Sequence, residues 1–338
     1  MTRSRFAFWL AAACLLTSPL FAREFSLKVY GGWRAASGGD LNRSIGGWRD
    51  YYADRSSASF SSSFDWNEMK AALEAGVELE VAFSPRLSFG LGVGIMPGIT
   101  SGKISTESAT VQTTAISASA SKTVAVEETT SRTPRAELGT VPVLLTAHYR
   151  FIRGERLSLV AGAGGGAYFG RYSYSEQYEY RFSSVEDLAS AGSKSRSVDQ
   201  SVASGEYLEE AQVIRWGVHG LVGLEYRLGD NLAAVFEVLG RWVTHGPWEG
   251  SKTDAYDWSH TWGPWGGYSD SGQVDESSDG ELWTVEAVSD TTGKTYPRLL
   301  FSEKQPAGSG YASARRADLG LSGIAVRLGL KIGFGGRR

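Results

Sequence analysis

Hydrophobic and polar residues alternate along most of this chain. The clearest run is residues 69–83. Met69, Ala71, Leu73, Ala75, Val77, Leu79, Val81 and Phe83 take the odd positions, and Lys70, Glu74, Glu78 and Glu80 are among the even ones. A period of two places one set on each face of a strand. Ser84-Pro85-Arg86 turns the chain, and Leu87, Phe89, Leu91, Val93 and Ile95 resume the pattern against Ser88, Gly90, Gly92 and Gly94. The same alternation recurs at residues 25–33, 141–151, 157–169, 216–228, 232–242 and 324–334. It predicts eight long two-faced strands.

Their connections fall into two classes that alternate. Residues 84–86, 152–156 and 229–231 are tight turns. Residues 35–66, 97–135, 173–212 and 244–317 are long. All short turns therefore lie at one end of the sheet, with both termini, and all long loops lie at the other. If the tight turns set the register, positions summing to 170 pair across the first hairpin. Glu80 then faces Gly90 and Glu78 faces Gly92, so a missing side chain leaves room for a long one.

Alternation alone leaves two closed barrels open, one soluble with an apolar interior and one in a membrane with an apolar exterior. Three features favour the membrane. Glycines mix with charges on the polar face, as a narrow interior needs. Aromatic residues cluster near strand ends: Phe25, Phe83, Tyr149, Phe151, Tyr226 and Phe334 at one, Trp33, Phe169, Trp216 and Trp242 at the other. Short turns on one side and long loops on the other complete the pattern.

The 338 residues carry a net charge of −3, with 42 Gly and 1 Cys. That charge gives no electrostatic case for nucleic acid. One cysteine excludes a disulfide framework. Residues 1–22 read as a signal peptide: Arg3 and Arg5, an apolar run from Phe6 to Leu16, then Ala22 at the cleavage site. Residues 23–338 form the barrel domain. No apolar run in it reaches the length of a helical span.

The strands, the leader and the alternating loops resemble the small outer-membrane β-barrel proteins of diderm bacteria, the OmpA, OmpX and OmpW type. Residues 140–151 (TVPVLLTAHYRF) and 157–170 (LSLVAGAGGGAYFG) are similar to a central hairpin common there. Residues 327–334 (RLGLKIGF) fit the family's C-terminal assembly signal through Arg327, Gly329, Ile332 and Phe334. Family members usually end on that aromatic residue, whereas here Gly335-Gly336-Arg337-Arg338 follow. The resemblance implies an all-β, eight-stranded, antiparallel up-and-down transmembrane barrel with long extracellular loops. It implies residence in the bacterial outer membrane as a monomer, with lipid, lipopolysaccharide and the barrel-assembly machinery as partners.

Chemistry is sparse. Gly162-x-Gly164-x-x-Ala167 matches a dinucleotide fingerprint only on paper, because no helix follows it. Ser259 and His260 beside Asp257 share a triad's composition but not a positioned geometry. No catalytic residue, metal site or cofactor is expected. The inward charges are expected to form a structural network: Lys28, Lys70, Glu74, Glu78, Glu80, His148, Arg150, His219, Glu225, Arg227, Glu237, Arg241, Arg327 and Lys331. Near-balanced charge inside so narrow a ring predicts paired ions and a plugged lumen. The last loop gathers Trp248, Trp258, Trp262 and Trp265 with several acids, a candidate site for an extracellular ligand. A hairpin is expected there at residues 282–288 and 294–301, around Thr291-Thr292-Gly293. The role read from these features is surface binding, adhesion or envelope integrity. The alternative, implied by the OmpW resemblance, is a narrow channel for small or apolar solutes. An outer-membrane enzyme is the weakest of the three.

Overall fold

A computed structural model describes residues 24–35, 38–57, 59–117, 120–190 and 193–334. The expected signal peptide and the residues after Phe334 lie outside them. The elements are β1 (Glu24–Ala35), α1 (Asp40–Arg55), β2 (Phe60–Trp66), β3 (Ala71–Ala82), β4 (Leu87–Ser117), β5 (Ala120–Arg153), β6 (Leu157–Ser190), β7 (Ser193–Arg227), β8 (Leu232–Val243), β9 (Glu249–Pro264), β10 (Tyr268–Val288), β11 (Thr295–Ser302), β12 (Tyr311–Arg316) and β13 (Gly323–Phe334).

Eight of these strands close on themselves in the order β1-β3-β4-β5-β6-β7-β8-β13, with β13 returning to β1. Every pairing is antiparallel. These are the segments that the alternation marks, and Glu80↔Gly90 and Glu78↔Gly92 are in the expected register. Closure removes the free edges that an open sheet would expose. The ring's outer face is apolar and exposed: Val77, Leu79, Leu145, Val222 and Leu328 all stand outward. From Ile324 to Phe334 this belt runs ~34 Å along β13, or ~25 Å after a typical strand tilt, which is the height of a membrane's apolar band.

Among the described residues the whole sheet has thirteen strands, eight of which form the ring, against the eight read from the sequence. The ranges read as long loops are mostly strand. β4 to β7 run on past the belt; on β5, the buried even positions continue from Thr140 back to Pro134. Above the belt the partners change. β4 exchanges β3 for β2, and β7 exchanges β8 for β9. β10 then pairs with β9, β11 and β12. The expected hairpin is β10–β11, with Leu282↔Phe301 and Val288↔Thr295 in register.

This distal wall is an open sheet from β2 round to β11, and α1 packs against both edges. Asp40 holds the start of α1 by accepting from Arg315 and from the Asp318 N–H at 2.7 Å. Arg43–Glu286 and Lys294–Asp54 ion pairs fasten its flank. Gly47 permits the close approach, since a Cβ there would collide with the Pro297 carbonyl oxygen. Between ring and distal wall sits an apolar core that includes Leu41, Ile45, Met69, Met96, Leu138, Trp248, Leu282 and Phe301. Among the described residues, no helix is long and apolar enough to cross a membrane.

Candidate functional site

Two interiors lie one above the other inside this wall. The lower one fills the ring. At its base, Lys331 Nζ lies 2.7 Å from Glu80 and 2.8 Å from Glu225. Arg150 reaches the same two acids at 3.3 and 3.2 Å. One level up, Lys28 Nζ sits 2.6 Å from both Glu78 and Glu237, and His148 Nε2 lies 2.6 Å from Glu78. Thr146 Oγ1 and His219 Nε2 are 2.9 Å apart. At the top, Glu74 is held between Arg327 and Arg241, the latter at 2.7 Å. A charge taken from water is tolerable only with such partners.

The glycines make this packing possible. A Cβ on Gly90 would overlap the Glu78 carboxylate. Gly90 faces Glu80 in the ladder but leaves its space to the neighbouring acid. Gly329 likewise lies close against β1, where a Cβ would strike the Val29 carbonyl oxygen and crowd Tyr30, over whose ring Arg327 lies at 4.2 Å. Arg327 thus serves the interior, while Ile332 and Phe334 of the same expected signal face outward.

All the expected network residues gather here except Lys70 and Arg227, which are both exposed. Lys70 fails because the alternation does not extend through residues 67–70. There the Met69 backbone is clamped by the Asn42 side chain, with bonds of 2.8 Å in both directions, and Met69 itself turns inward. Arg227 has the inward parity, but it is the last residue of β7, at the rim of the ring. The sequence reading missed Arg34, Thr140 and Tyr168. Arg34 continues the parity of Lys28 and was legible on that ground.

The upper interior is a chamber of about 290 Å³ inside the distal wall. Trp48 of α1, Trp66 of β2, and Tyr172, Tyr174, Tyr178 and Tyr207 of β6 and β7 line it, with Arg132, Glu176, Glu209 and Asp254. Its acids are bonded mainly to phenols. Tyr207 donates to Glu209 at 2.6 Å and Tyr178 to Asp254 at 3.1 Å, while Tyr174 donates to Glu176. Arg132 pairs with Glu176 at 2.9 Å. Burial pushes the Glu209 carboxyl up to about 7, against the pull of the Tyr207 hydroxyl and Lys252. Burial and the adjoining carboxylates raise Tyr172, Tyr174 and Tyr207 well above the ordinary phenol range. Arg298 stacks on Trp48, 3.3 Å from its ring centre, and burial lowers it to about 10. Two donors of the lining, Trp66 Nε1 and Arg132 Nε, are buried without a hydrogen-bond partner.

The four candidate tryptophans of the last loop do not form one site. Trp248 is a correction: it is 2 % exposed and wedged against Gly170 in the apolar core, where no ligand at the surface reaches it. Trp258 packs over Gly272 in the β9–β10 ladder. Trp262 stacks near Tyr268, with ring centres 6.1 Å apart, and Trp265 is exposed at the adjoining turn. The chamber's tryptophans are instead Trp48 and Trp66, outside that loop. Leu41, Ile45, Trp48 and Tyr52 recur at i, i+4, i+7 and i+11, a helical spacing that was the available signal for α1. Among the described residues, no cluster of His, Cys, Asp and Glu could hold a metal ion.

No family model matches the chain, and no curated protein matches it. Two solved structures align over most of its length. One is titled CymD monoaromatic hydrocarbon channel, at 9% identity over 97% of this chain and 94% of that one, with a TM-score of 0.17. The other is a Pseudomonas aeruginosa FadL homologue, at 9% identity over 93% and 90%, with a TM-score of 0.18. Similarity of this size carries no argument.

Proposed function

We propose that this chain is a monomeric outer-membrane β-barrel protein whose ring is a plugged anchor and whose distal chamber binds a small solute at the cell surface. Lipid and lipopolysaccharide surround the apolar belt, and residues 327–334 are read by the barrel-assembly machinery. The reading assigns no catalytic chemistry. One observation carries it: the chamber combines flat aromatic faces with buried donors, Trp66 Nε1 and Arg132 Nε, that have no protein partner. Pockets that bind small molecules share this character, a mostly apolar lining with a few placed polar groups. The ligand class is a solute of monosaccharide size with an apolar face and oxygen acceptors.

Titration of tryptophan emission with a panel of monosaccharides and small aromatic acids tests this. A saturable change with at least one of them is expected. Trp66→Phe, which removes the indole donor, weakens that ligand by roughly 2–10-fold. A panel without any saturable response contradicts the reading.

One observation favours the alternative, a narrow path for apolar solutes. The apolar core is continuous from the chamber's Leu41 and Trp66 to Met96 and Leu144, inside the ring. Entry of an apolar solute into sealed vesicles holding the protein, absent from empty vesicles, would select that reading.

A further inference from the structure

The ring interior has a charged group that its ion pairs leave out. Arg34 lies on β1 just past the girdle residue Trp33, with Ala72 and Ala325 as its ladder neighbours. It is 1 % exposed, yet its Nε, Nη1 and Nη2 all lack a hydrogen-bond partner. The charges acting on it are Arg241 and Glu74. Glu74 is already shared by Arg241 and Arg327. The top of the ring thus holds three guanidiniums around Glu74, and Glu237, the ladder partner of Arg327, acts on that one from the level below. Below, Lys28, Arg150 and Lys331 face four acids: Glu78, Glu80, Glu225 and Glu237. Positive charge is therefore concentrated at the chamber end. Further polar atoms of the ring interior are buried without partners: Arg241 Nε, Tyr168 Oη, Thr140 Oγ1, His219 Nδ1 and Glu237 Oε2. The charges of Arg241, Arg327 and Glu74 also act on Tyr168.

A fully buried guanidinium with no acceptor is among the costliest groups a fold can hold. A small anion removes that cost, because it accepts several N–H and O–H donors and offsets the excess charge. The geometry points to a buried site for a small monovalent anion, of chloride size, held by Arg34 at the top of the ring and bordered by Arg241. The apolar core above it closes the site, so the ion is a structural part of the folded barrel. This does not depend on what the chamber binds.

The test uses the full chain folded in detergent micelles, heated in sodium chloride or in sodium gluconate at equal ionic strength. Chloride raises the unfolding midpoint by roughly 4 °C over gluconate, which is too bulky for a closed site. Equal midpoints in the two salts overturn the proposal. Arg34→Met keeps the bulk without the charge, and in it the chloride effect disappears; a chloride effect of undiminished size overturns the proposal. If that variant does not fold, crystals of the unaltered protein grown in bromide decide. An anomalous peak beside the Arg34 guanidinium supports the site, and none there refutes it.

Discussion

The ring interior and the distal chamber share three continuous strands, β5, β6 and β7, yet they satisfy buried acids in opposite ways. In the ring, Glu74, Glu78, Glu80, Glu225 and Glu237 each meet a lysine or arginine. In the chamber, Glu176, Glu209 and Asp254 accept from tyrosines, and only Glu176 also holds an arginine. An ion pair uses up both partners and fills its space. A phenol leaves the acid's charge uncompensated and presents a flat face. The first arrangement fills the space it occupies and the second leaves a lined cavity, although the same three strands carry both.

The largest expected effect tests the plug. Lys28→Met leaves Glu78 and Glu237 without their shared cation, and breaking a buried pair in this way costs about 3–5 kcal/mol. The heat needed to convert the compact gel band to the unfolded one should fall sharply. A variant as heat-resistant as the parent would break the contrast between the two interiors.

The chamber's signature is its response to pH. The Glu209 carboxyl is raised in the folded state, from 4.5 to about 7. Between those values the folded chain holds a proton that the unfolded chain has released. Stability from this group is therefore full below pH ~4.5 and is lost as pH rises through about 7. The loss amounts to roughly 3 kcal/mol at most. Glu209→Gln keeps the neutral form, so its midpoint should stay flat over that range when followed by tryptophan emission. Parallel profiles for the two proteins would remove Glu209 as the source.

The smallest effect is at the rim. Trp265 is 69 % exposed, outside both interiors. Trp265→Ala should change stability by less than about 0.5 kcal/mol and leave chamber binding unaltered. A lost ligand response would move the binding site out to the β9–β10 turn.

The ring was largely legible in the sequence, because each of its strands has one face outward and apolar and the other among charges. Val77 against Glu78 or Leu328 against Arg327 is that contrast in single pairs. The distal wall was harder to read. Residues 105–115 are Ser- and Thr-rich on both faces, since both meet water, so the pairing with β5 leaves no apolar stripe. The chamber's lining comes from α1, β2, β5, β6, β7, β9 and β11, and only closure by α1 brings those residues together. Trp248 shows the converse limit: an aromatic residue among acids looks like surface until its partner, Gly170 on β6, is known.

In the proposed reading the ring is closed to solutes and recognition lies above it. Osmotic swelling of liposomes containing the full chain, challenged with small sugars, decides whether the ring conducts. The ion-paired interior predicts swelling no faster than in empty liposomes. Rapid swelling that slows with increasing sugar size would contradict it.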